Sequence, residues 1–200
     1  GFVFDRSSTF FGSSNDARYV AYGTWSENFV AGHLSHRHDI VRDRNTGQST
    51  LINELPDGSH SSVNRWAGVS FDGQIKAFGT TQGLHPRDRN NRSDAYVLDL
   101  PTGAFEWVSQ DTGVGRLVSV QHTVLSRPGR FVAYVIDEKG HVYDRVEQST
   151  KTLIASSVDS IHDITPNGRY LTFSSNYVLY RYDIQEDSYE QVTIAADGSR

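Results

Sequence analysis

The sequence has no cysteine, no methionine and only five prolines. Without cysteine there is no disulfide framework and no thiolate chemistry, an absence that neither requires nor excludes export. Without methionine there is no initiator, so the chain reads as processed or as cut from something longer. No apolar stretch approaches membrane-spanning length, and the first residues, GFVFDRSSTF, lack the basic start and long apolar run of a signal peptide. A basic excess is missing too, since 19 Lys and Arg face 24 Asp and Glu for a net charge of −5. Nucleic-acid surfaces carry such an excess, so neither a nucleic-acid partner nor membrane insertion is expected. Helical periodicity is absent throughout. The hydrophobic fraction of 36% in 200 residues is nevertheless ample for a packed core.

What is present is a repeat. Four segments share a turn followed by an alternating strand: SSNDARYVAYG, SFDGQIKAFG, SRPGRFVAYV and TPNGRYLTFS. Their turn positions are Ala17, Gly73, Gly129 and Gly168, spaced by 56, 56 and 39 residues. Glycine at three of the four suits a tight turn that needs positive φ. A further strand follows each: HDIVRD at 38–43, DAYVLD at 94–99, GHVYD at 140–144 and VLYRYD at 178–183. An outer strand then ends each unit (STLIN, AFEWVS, TKTLIA, YEQVT), and a short segment such as WAGVSF, HTVLS or HDIT precedes each turn. Four short strands per unit, with no helix between units, predict an all-β chain of four-stranded antiparallel β-propeller blades. The four visible blades fall at about 9–53, 65–109, 121–155 and 160–194, and residues 1–6 read as a ring-closing strand. The recurring aromatics Tyr19, Phe78, Phe131, Tyr134, Tyr170 and Phe173 alternate as core residues between blades.

The stretches SFDGQIKAFG and DRNNRSDAYVLDLPTGAFEWVS resemble the TolB-like β-propeller repeat. That repeat places S-x-D-G-R-Y-V-A-F on its first two strands and D-x-Y-x-x-D-x-x-T-G on its third and fourth. The resemblance covers essentially the whole chain, four times over. Ala17, and Arg127-Pro128 in place of an acid-bearing turn, depart from it. It implies a secreted, periplasmic or cell-surface setting. The economical reading is a segment of a larger ring of roughly six to eight blades, with a self-contained four-bladed ring as the alternative.

Four sets of residues carry candidate chemistry. Asp88, Asn90 and Asp94 space oxygen donors at i, i+2 and i+6, as a loop around calcium would, or they form a turn capped by its own polar side chains. Related TolB-like repeats carry a matching D-x-N-x-x-x-D before the third strand, which the resemblance extends to these positions. In the first unit His38 aligns with Asp94, and His33, His36 and His38 form H-x-x-H-x-H, a pattern for zinc, copper or nickel or simply a polar loop. His122 and His162 each precede a turn on an innermost strand, with Asp163 beside the second. Some TolB-like enzymes acting on oligogalacturonides hold a metal in the channel with histidines from several blades, whereas the plain reading is a hydrated channel lining. Trp25 and Trp66 are candidate stacking platforms for a sugar or peptide. Nucleophile-elbow, zincin, Walker and dinucleotide motifs are all absent. The expected function is a non-catalytic binding or scaffold propeller, with a protein or glycan partner and calcium as a stabiliser. A metal-dependent polysaccharide lyase or hydrolase is the rival, and exposed blade edges offer self-assembly as a third role.

Overall fold

The computed structural model describes residues 8–14, 16–25, 38–51, 63–110 and 120–193, with backbone alone at 63–67. Among the described residues, sixteen strands form four antiparallel four-stranded sheets in sequence order. Blade one holds β1 (Ser8–Ser13), β2 (Tyr19–Thr24), β3 (His38–Asp43) and β4 (Ser49–Leu51). Blade two holds β5 (Val63–Val69), β6 (Ile75–Thr80), β7 (Asp94–Asp99) and β8 (Ala104–Trp107). Blade three holds β9 (Val120–Leu125), β10 (Phe131–Ile136), β11 (Lys139–Asp144) and β12 (Ser149–Thr152). Blade four holds β13 (Ser160–Ile164), β14 (Tyr170–Ser175), β15 (Val178–Asp183) and β16 (Ser188–Gln191). The first strands lie side by side, with β5 between β1 and β9, and β9 between β5 and β13. The expected strand at 1–6 lies outside the described residues.

One local device builds every turn between the first two strands. A hydroxyl at Ser14, Ser70, Ser126 or Thr165 accepts the amide of the first residue of the next strand, at 2.8–2.9 Å. The same residue's carbonyl accepts the amide of Ala17, Gly73, Gly129 or Gly168 at 2.8–2.9 Å. The hydroxyl thus does the work of a hairpin hydrogen bond, and the fourth turn residue takes positive φ. Arg127-Pro128 keeps this geometry without an acidic side chain, because Ser126 alone supplies the acceptor. Bidentate Arg18–Asp43 and Arg130–Asp144 pairs then tie the second strand to the end of the third. Each arginine holds its carboxyl below the usual carboxylate range.

The core lies between blades, as strand alternation predicts. Ala133, Val135 and Val142 of blade three meet Leu171, Phe173 and Tyr182 of blade four. On its other face blade three places Val132, Tyr134 and Tyr143 against Ala77, Ala95 and Val97 of blade two. Each fully buried valine or phenylalanine contributes roughly 1.5–3 kcal/mol. At each joint an aromatic or aliphatic residue of one blade fills the space beneath a glycine of the next. Tyr19 lies under Gly73, Ile75 under Gly129 and Phe131 under Gly168, where an added Cβ would sit 2.3, 3.1 and 2.3 Å away. Blade one's own turn carries Ala17 at this position.

Among the described residues, the joint between blades one and two alone buries a lysine side chain completely. Lys76 is fully buried, and its ammonium lies 4.5 Å from the Phe78 ring centre. Burial pushes its pKa down to about 7, partly opposed by the charge of Asp39, itself buried.

Candidate functional site

The four innermost strands line one cleft of about 730 Å³. All four are broken by a bulge. Phe10 pairs with Tyr22 and Gly12 with Ala21, leaving Phe11 as the extra residue. Trp66 and Gly68 likewise bracket Ala67, Val120 and His122 bracket Gln121, and Ile161 and Asp163 bracket His162. A bulge bends its strand and re-aims the extra side chain, and bulges recur beside binding sites. Phe11, Gln121 and His162 all line the cleft, together with His122, Arg127 and Asp163. Phe10, 67% exposed, stands at its edge, a large apolar surface beside polar walls.

His122 and His162 therefore share the cleft but not a repeat position. His122 pairs with Val135, whose counterpart in blade four, Ser174, pairs with Ser160. His122 and Ser160 touch, Nε2 to Oγ at 3.1 Å, while His162 is the bulge residue and is exposed. The register differs because the bulge falls at another step in β9 than in β13. Asp163 is exposed, and its carboxylate accepts its neighbour's amide, Ile164 N, at 2.9 Å. Among the described residues, no three His, Cys, Asp or Glu side chains gather where they would hold a metal ion together. Two imidazoles, a guanidinium, a carboxylate and phenyl surface can bind a polar, extended ligand by hydrogen bonds and stacking.

Asp88, Asn90 and Asp94 come together in a different place, the loop between β6 and β7. Asp94 Oδ1 accepts hydrogen bonds from Trp107 Nε1 at 2.9 Å and Ser109 Oγ at 2.6 Å. Its Oδ2 accepts one from Asn90 Nδ2 at 2.8 Å. Asp88 Oδ2 accepts the Tyr96 hydroxyl at 2.5 Å, and Asn90 Oδ1 accepts Arg92 N at 2.7 Å. Burial, then this bond to Asp88, pushes the Tyr96 phenol far up. The loop also reaches the next blade, where Val120 N donates to Ser93 O at 2.7 Å. Calcium asks for six to eight oxygens. Here both carboxylates already accept protein donors, and Asn90 turns its amide nitrogen, not its oxygen, toward Asp94. This donor set fits a self-contained polar brace and does not fit a cation cage in this arrangement.

The remaining candidates are spread out. His33 and His36 lie outside the described residues. His38 is wholly buried as the first residue of β3, opposite Thr24, in the register that sets Asp94 opposite Thr80. It belongs to a strand end rather than to an open loop. Trp25, 43% exposed, follows β2 directly, and Trp66 lies on β5 within the backbone-only stretch. Sequence reasoning missed the partners that hold Asp94. Trp107 and Ser109 sit 13 and 15 residues away, and their alternation on and beyond the outer strand was the available signal.

No family model matches the chain, and no curated protein matches it. Solved structures do. A putative TolB from Agrobacterium tumefaciens aligns with a TM-score of 0.62 at 16% identity, over 96% of this chain and 63% of its own. An oligogalacturonate lyase in complex with manganese aligns with a TM-score of 0.63 at 11% identity, over 94% of this chain and 53% of its own. The RRP9 WD40 repeats align with a TM-score of 0.55 at 16% identity, over 93% of this chain and 51% of their own. The chain thus spans between 51% and 63% of the length of these propellers. At such identities the likeness shows architecture, and this chain has the β-propeller fold, with four four-stranded blades.

Proposed function

We propose that the chain is a TolB-like binding propeller, not an enzyme, which takes an extended protein or glycan segment in the cleft along its innermost strands. The observation that carries this is the set of bulges that accompanies the cleft lining of Phe11, Gln121 and His162. The TolB-like repeat pattern supports an exported, periplasmic or cell-surface setting. The loop of Asp88, Asn90 and Asp94 braces blades two and three through its own hydrogen bonds, and calcium has no part in it on this reading.

One observation favours the rival, a metal-dependent polysaccharide lyase or hydrolase: His122, His162 and Asp163 line the same cleft. The two readings separate by calorimetric titration with uronate oligomers, neutral glycans and peptides, run beside a chain-cleavage assay with manganese. The binding reading expects saturable heat from one ligand class, lost on His162→Ala and on Phe10→Ala, and no cleavage. Manganese-dependent cleavage lost on both His122→Ala and His162→Ala would instead establish the enzyme.

A further inference from the structure

The cleft is walled by strand edges, not by sheet faces. A strand that shows its face to a cleft offers every second residue, whereas one that shows its edge offers consecutive ones. Gln121–Leu125 of β9, Phe10–Ser13 of β1 and Ile161–Asp163 of β13 line it as unbroken runs. β9 sits inside the arc, with β5 on one side and β13 on the other. Its ladder with β10 fixes which main-chain groups turn outward. Ser126 N donates to Phe131 O at 2.8 Å, so these two residues form a hydrogen-bonded pair. Bonded and non-bonded pairs alternate along an antiparallel ladder. Leu125 opposite Val132 and Thr123 opposite Tyr134 are therefore non-bonded pairs. They turn their amides and carbonyls away from β10, toward the cleft that both residues line. Donors and acceptors recurring every second residue, about 7 Å apart, are what a further strand pairs with.

A second observation marks the same edge. Thr123 lines the cleft at 4% exposure, and its hydroxyl has no hydrogen-bond partner among the described residues. A buried hydroxyl left unpaired costs stability, which a ligand group bonded to it would recover. The surrounding side chains favour one sign of charge. Arg127, His122 and His162 line the cleft with one acid, Asp163, whose carboxylate already accepts Ile164 N. Resting on the reading of this cleft as a binding site, we propose that its occupant is an acidic polypeptide segment. The segment lies extended against the inner edge of β9 as an added strand, with the Thr123 hydroxyl bonded to it. Main-chain pairing supplies the affinity, and Arg127 with the two histidines selects carboxylate side chains. A glycan carries no matching row of alternating amides and carbonyls.

Calorimetric titration of the full chain with the capped hexapeptide Val-Glu-Val-Glu-Val-Glu tests this, beside its Val-Lys counterpart and a uronate hexamer. Two N-methylated forms of the acidic peptide complete the set, each blocking the amides along one edge of the extended chain. The acidic peptide should bind saturably, and the Val-Lys peptide at least about tenfold more weakly. One methylated form should lose binding and the other keep it, because an added strand pairs through a single edge. Thr123→Val should weaken the acidic peptide by about three- to tenfold. It should leave melting unchanged or raised, since a methyl replaces an unpaired hydroxyl. Loss or retention of binding in both methylated forms alike overturns the added strand, as does a Thr123→Val variant that binds like the wild type. Equal binding of the Val-Lys peptide overturns the acidic partner. Binding of the uronate hexamer but of neither peptide overturns this inference and leaves the binding cleft standing, whereas binding of none of them overturns both.

Discussion

Gly103 and Gly168 share a φ of +70° but differ in what surrounds them, which makes them a matched pair. A Cβ on Gly103 would meet nothing within 4 Å. A Cβ on Gly168 would lie 2.3–2.6 Å from three atoms of the Phe131 ring. Alanine in the left-handed region costs roughly 1–2 kcal/mol, less about 0.4–1 kcal/mol from the stiffer unfolded chain. Gly103→Ala should therefore cost about 1 kcal/mol. Gly168→Ala adds an overpacking cost of roughly 1–3 kcal/mol, because the Phe131 ring must retreat by about 1 Å. That retreat is resisted by the packing of blade four and by the Arg130 guanidinium, 4.9 Å from the ring centre. Urea unfolding of both variants measures the difference, expected at about 1–3 kcal/mol with Gly168→Ala the less stable. Phe131→Leu in the Gly168→Ala background should recover part of it, as a coupled pair does. Equal costs at the two glycines would refute the idea that blades lock through an empty place above each turn.

Other expectations concern buried polar groups. Asp94→Asn sets an amide among the donors Trp107 Nε1, Ser109 Oγ and Asn90 Nδ2, and should cost about 2–3 kcal/mol in urea unfolding. Chelator should leave the melting temperature of the wild type unchanged, and a calcium-specific rise lost on Asp88→Ala would overturn the bracing role. Lys76 titrates near 10.5 when unfolded and at about 7 in the fold. Between those values the unfolded chain holds a proton that the folded one has shed, so stability rises with pH across this window. Against Lys76→Met the wild type should gain on the order of 3–5 kcal/mol between pH 7 and pH 10.5, and a flat difference would contradict the burial. Asp39→Ala removes the charge that offsets this burial and should destabilise by about 3–5 kcal/mol at pH 6, measured by the same unfolding curve.

Much of the architecture was legible because its signals are local. Alternation in YVAYG and IKAFG marks strands, and glycine at 73, 129 and 168 marks turns. The bulges were not legible, since an extra residue in a strand changes register without changing composition. That is why His122 and His162 looked equivalent in sequence, while pairing sets His122 level with Ser160. The loop at 88–94 was legible as polar but not as a brace. Its spacing is shared by calcium loops and capped turns, and the deciding donors, Tyr96, Trp107 and Ser109, arrive through strand pairing. Lys76 reads as the polar half of an alternating strand, and only the neighbouring blade reveals its burial.

Hydrogen exchange with and without bound ligand reads directly whether ligand sits along the innermost strands. Binding there should add protection at the backbone amides of Phe10–Ser13, Gln121–Leu125 and Ile161–Asp163, with the loop at 81–93 unchanged. Protection confined to that loop or to the outer strands, with the innermost strands indifferent, would contradict it.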